Sequence, residues 1–121
     1  MSRYFSIGTD PKLACSCCGI DSVDNGFLLL LDSIREEVGP LTITSGYRCP
    51  SYNKSVSSTG ETGPHTTGRA VDISCRNGSL RRAIVKAGIK QGCRVGVAKT
   101  FIHIDNLSAV DGFPDNVMWV Y

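Results

Sequence analysis

Apolar residues recur at helical spacing early in the chain: Phe27, Leu31, Ile34 and Val38 fall at i, i+4, i+7 and i+11. Asp24 stands where an N-cap is wanted and Gly39-Pro40 where a helix must stop, so the pattern predicts a helix between them that packs on a sheet. Beyond it the period shortens. "LTITS" (41–45) is β-rich, "GYRCPSYN" reads as turn-like, residues 55–68 form a loop rich in Ser, Thr and Gly, and "RAVDI" is a second strand. Ser79 is expected to cap a second helix with Leu80, Ala83, Ile84 and Ala87 on one face, ending near Gly88 or Gly92. Three strand patterns then follow, "CRVGV", "TFIHID" and "VMWVY", the last carrying the only tryptophan, Trp119, which is assigned to the core. No repeat or linker interrupts this order. Strands clustered late in the chain predict an α+β fold, a largely antiparallel sheet with helices on one face.

The 121 residues suffice for one core and are expected to form a single domain, 1–121. Thirteen basic against 11 acidic residues leave a net charge of +2, too little for a nucleic-acid footprint. The adjacent Arg81 and Arg82 read as a solvated helix face. The longest apolar run, "FLLLL", is far short of a membrane span, and "MSRYFSIGTD" turns polar too soon for a signal peptide, so synthesis in the cytoplasm is expected. The six cysteines are irregularly spaced. "CSCC" (15–18) is open to three readings, metal binding, a disulfide end or a merely local cluster; two of its cysteine pairs, 15/17 and 17/18, lack C-x-x-C spacing, which weighs against structural zinc.

The chemistry gathers in two of the strands. Period two in "FIHID" puts Ile102 and Ile104 on one face and Phe101, His103 and Asp105 on the other. In "RAVDI" it separates Val71 and Ile73 from Ala70 and Asp72. If both strands share a sheet, Asp72, His103 and Asp105 share its polar face, and the preceding loop can return His65 there. Two imidazoles and a carboxylate supply three ligands and leave a fourth position for water, the ligand count of a catalytic zinc site. Zinc brings the pKa of such a water to about 7, which makes it a nucleophile at neutral pH.

At this point the residues resemble a family. "SGYRCPSYN", "HTTGRAVD" and "FIHID", in this order, are similar to the zinc D-Ala-D-Ala carboxypeptidases and L-Ala-D-Glu endopeptidases that cut peptidoglycan peptides, phage endolysins among them. "LACSCCG" resembles the cysteine-rich start of one small subgroup, so the likeness runs from about residue 4 to 106. The resemblance implies a Hedgehog/D-Ala-D-Ala peptidase-like fold with the zinc site on the face away from the helices. It also implies Zn²⁺ as cofactor, with His65, Asp72 and His103 as its ligands. Arg48 falls on the arginine that holds the substrate carbonyl as its oxygen becomes anionic, a role suited to a fixed guanidinium. The expected partner is a peptidoglycan peptide met by a monomer. The expected place of action is the cell wall, reached by phage-type release or as part of a virion.

Two departures stand out. The family usually has serine where this chain has Gly63, and many members carry a general base where it has Thr100. Asp105 is the nearest replacement, with orienting a ligand histidine as its rival role. Glu61 is a weaker candidate. The leading expectation is thus a zinc peptidase with Arg48 and Asp105 as catalytic residues. A zinc-binding module without turnover, as in the similar Hedgehog signalling domain, is the alternative. A hydrolase pairing a cysteine with His103 ranks last, because no cysteine stands in a recognisable nucleophile setting.

Overall fold

The computed structural model describes residues 3–5, 12–20 and 22–121; most of the opening "MSRYFSIGTD" lies outside them. Helix α1 (Asn25–Val38) begins at Asp24, whose carboxylate accepts the Phe27 N–H at 2.9 Å. It buries Phe27, Leu28, Leu31 and Ile34, and the Gly39 N–H closes its end on the Arg35 carbonyl. Each such side chain taken out of water stabilises the fold by about 1.5–3 kcal/mol. Helix α3 (Gly78–Lys90) is capped by Asn77 rather than by Ser79: the Asn77 side chain accepts the Leu80 N–H at 2.8 Å. Asn is as strong a cap as Ser, and extended backbone at residue 77 lets the helix begin two residues earlier. The turn-like "GYRCPSYN" contains a short helix, α2 (Pro50–Val56), with proline in its first turn, where a missing N–H costs nothing.

Five strands form one sheet in the order β1-β2-β4-β3-β5: β1 (Ile43–Ser45), β2 (Ala70–Ser74), β3 (Arg94–Val97), β4 (Phe101–Asp105) and β5 (Met118–Val120). The β1–β2, β2–β4 and β4–β3 pairs are antiparallel, whereas β5 runs parallel to β3, so the largely antiparallel sheet is mixed. Val71, Ile73, Val95, Ile102 and Ile104 pack with the apolar sides of α1 and α3 in the core. Trp119 is not in that core. It is half-buried on the opposite face, where it lies across Gly96; a Cβ on Gly96 would meet its indole at 2.6 Å.

Candidate functional site

The face of the sheet away from the core carries a row of paired positions. Asp72 stands opposite His103, Gly96 opposite His103 on the other side, Ser45 opposite Asp72 and Trp119 opposite Gly96. Hydrophobic alternation forces this arrangement: once Val71, Ile73, Ile102 and Ile104 are committed to the core, Asp72 and His103 must point the other way. His65 arrives from outside the sheet on a 3₁₀ turn (Pro64–Thr67). The turn is pinned to the chain after β1, because the Arg48 N–H donates to the His65 carbonyl at 3.0 Å.

The three side chains meet at one oxygen. His65 Nε2 lies 3.3 Å and His103 Nδ1 3.1 Å from Asp72 Oδ1. Ligand atoms about 2.0–2.1 Å from a tetrahedral zinc stand about 3.3 Å apart, so these spacings suit one ion. The opposite nitrogen of each ring has a partner of its own: His65 Nδ1 faces the Gly46 carbonyl at 2.8 Å and His103 Nε2 faces Asp105 Oδ2 at 2.7 Å. Donation of those N–H groups leaves the lone pairs of His65 Nε2 and His103 Nδ1 aimed at the centre, the usual support of a metal-ligating histidine.

The electrostatics ask for a cation here. Burial acts to raise the pKa of Asp72, but hydrogen bonds from His103 and His65 outweigh it and hold the carboxyl well below the usual range. Burial acts to lower the pKa of His103, and the hydrogen bonds to Asp105 and Asp72 outweigh it, so the imidazole is more basic than usual. The basic imidazole stands between two carboxylates, at a place where a divalent ion would balance the same negative charge.

Arg48 borders this cluster with its guanidinium fixed on three sides. Nε donates to Ser45 Oγ at 3.1 Å, Nη1 to Asn53 Oδ1 at 3.2 Å and Nη2 to Asp72 Oδ2 at 3.3 Å. Asn53, fully buried on α2, donates in turn to Thr59 Oγ1 and to the Gly60 carbonyl. Gly63 packs against this network, and a Cβ there would strike the Thr59 hydroxyl and come within 2.7 Å of Asn53 Nδ2. A side chain at residue 63 would thus need space that Asn53 and Thr59 fill.

Asp105 is completely buried. Arg94 grips it with two hydrogen bonds, of 2.8 and 3.0 Å, and the Leu107 N–H adds a third at 3.1 Å. Burial acts to raise its pKa, but His103 and Arg94 outweigh burial and bring it below normal. Arg94 itself is stacked between the rings of Phe113 and Trp119, 5.0 and 5.1 Å from their centroids. Thr100 is exposed in the turn before β4, and Glu61 is exposed on a 3₁₀ turn (Gly60–Thr62).

A cleft of about 740 Å³ opens over the cluster. One wall is formed by residues 56–59 and the other by Phe101, Phe113, Trp119 and Tyr121, with Arg48 and the buried His65, Asp72 and His103 lining it between them. Among the described residues that line it, Asp72 is the one carboxylate. Sequence reasoning missed Arg94, Asn53 and the Gly46 carbonyl. Arg94 had a signal, since alternation in "CRVGV" sets Arg94 and Gly96 apart from Val95 and Val97; Asn53 and a backbone carbonyl carry none.

A family model described as Peptidase M15 matches residues 12–105, which include the whole cluster. The chain belongs to the M15 family of D-Ala-D-Ala carboxypeptidase-like peptidases. Neither the curated proteins nor the solved structures yield a match.

Proposed function

We propose that this chain is a zinc metallopeptidase that hydrolyses peptide bonds in the stem peptides or cross-links of bacterial peptidoglycan, as a D-Ala-D-Ala carboxypeptidase or an endopeptidase. The observation that carries the reading is the meeting of His65 Nε2, Asp72 Oδ1 and His103 Nδ1, with the far nitrogen of each ring already held. Zinc bound there would polarise the scissile carbonyl and make water acidic enough to attack near neutral pH.

The chain's own residues supply the rest. Arg48, locked by Ser45, Asn53 and Asp72, presents its guanidinium to the cleft, where it stabilises negative charge that grows on the carbonyl oxygen. Asp105 orients His103. Its lone pairs are taken up by Arg94, His103 and the Leu107 N–H, so it has no free position for a proton from the cleft. The aromatic wall from Phe101 to Tyr121 offers apolar surface to a peptide and shields the reacting bond from bulk water.

The test is purified peptidoglycan incubated with zinc-loaded protein, scored for new amino groups. Release is expected, and chelation and His103→Ala should each abolish it. Equal release by His103→Ala would reject the reading. A second reading is favoured by one observation: Thr100 replaces the family's base, and the one cleft carboxylate, Asp72, is committed to the cluster. Under it the chain binds cell-wall peptide without cutting it, and zinc-dependent retention on peptidoglycan with no amine released would select it.

A further inference from the structure

Four cysteines meet at a second place. Cys15, Cys17, Cys18 and Cys49 are all free thiols, and their sulfur atoms lie within 4.8 Å of one another. Cys17 Sγ is 3.7 Å from Cys15 Sγ and 3.3 Å from Cys49 Sγ. Thiolates bound at about 2.3 Å to a tetrahedral zinc stand about 3.8 Å apart, so the four are already spaced as the corners of such a site. From these positions we propose that Cys15, Cys17, Cys18 and Cys49 bind a structural zinc ion, distinct from the histidine cluster, that clamps residues 13–20 onto residues 46–49.

The backbone is shaped for it. The Cys15 N–H donates to the Ile20 carbonyl and the Gly19 N–H to the Cys15 carbonyl, each at 2.8 Å, and this tight loop turns Cys17 and Cys18 back toward Cys15. The Cys49 N–H donates to Cys15 Sγ at 3.3 Å, a bond that supports a negatively charged sulfur. Beside it the two segments touch: the Tyr47 N–H donates to the Leu13 carbonyl at 2.8 Å, and a Cβ on Gly46 would come within 2.7 Å of the Leu13 backbone. Four sulfur ligands with no open position select a soft ion held for structure rather than for catalysis. Cys15 and Cys18 have C-x-x-C spacing, but Cys17 and the distant Cys49 complete the set only through the fold.

The clamp holds the segment that supports the histidine cluster. The Gly46 carbonyl fixes His65, and Arg48 directly precedes Cys49. The site itself does not depend on the peptidase reading, and its test does not read turnover. The reduced full chain should carry two zinc ions, falling to one in His65→Ala/His103→Ala and to one in Cys17→Ser/Cys18→Ser. Cobalt substitution should give intense thiolate-to-metal charge-transfer absorption in the wild type and in the histidine double variant, whether or not the cysteine variant folds. A cobalt-loaded histidine variant without that absorption would overturn the proposal. So would disulfides among the four cysteines, with no second zinc, in protein purified without oxidation.

Discussion

Asp105 and Arg48 border the same cluster and are held there by opposite means. Asp105 is surrounded by donors, so its effect on chemistry runs through His103 Nε2. Asp105→Asn leaves His103 without its carboxylate and is expected to weaken zinc binding at the histidine site about 10–100-fold, with turnover recovering at excess zinc. Competition with a chromophoric chelator measures the first effect; undiminished affinity with lost turnover would return Asp105 to the role of base. Arg48 faces the cleft, and its planar fork is fixed by three acceptors. Lysine at this position keeps the charge but cannot reach Ser45, Asn53 and Asp72 together. Arg48→Lys should therefore lower kcat about 100-fold or more while zinc content is unchanged, the pattern of an interaction made in the transition state. Normal kcat in the zinc-replete variant would make Arg48 a structural residue.

At the scale of elements, what was legible in the sequence is what repeats. Helix α1 and strands β2 and β4 follow from periodicity alone, because their buried faces are long enough to set a phase. That phase is also why Asp72, His103 and Asp105 could be assigned to one face from sequence. Helix α2 was not legible: seven residues with Asn53 alone buried leave no apolar stripe to read. The parallel pairing of β5 was illegible for a different reason, since its direction is set by partners on β3 more than 20 residues away in sequence. The same pairing takes Trp119 out of the core and lays it over Gly96, with its ring 5.3 Å from that of His103. Gly96→Ala is expected to push the indole aside and cost about 1–3 kcal/mol, the usual range for overpacking. Denaturant titration and a red shift in tryptophan emission would show it, and unchanged values of both would mean that Trp119 does not rest on Gly96.

Across the whole molecule the sheet separates two kinds of energy. On one face α1, α3 and the aliphatic residues of the strands are held by apolar burial, which changes little with pH. The other face holds Asp72, His103, Asp105, Arg94 and Arg48, whose mutual attraction depends on protonation. In the chelated protein the pKa of His103 is raised, with burial opposing and Asp105 and Asp72 outweighing it. A raised folded-state value means that this contribution is complete below the unfolded histidine pKa of about 6.5 and is lost as pH climbs through the higher folded value. The lowered pKa of Asp72 acts in the opposite direction, and its contribution is lost only as pH falls below about 3.9. Stability of the chelated protein should therefore decline as pH climbs above about 6.5 in the wild type and decline less in His103→Gln, as measured by urea midpoints at each pH. Zinc competes with the proton for His103 Nδ1, so uptake at the histidine site should strengthen over the same interval in which the chelated protein weakens. Parallel pH profiles for the two proteins would show that His103 carries no charge between its carboxylates, and the electrostatic case for a cation at this face would fall with it.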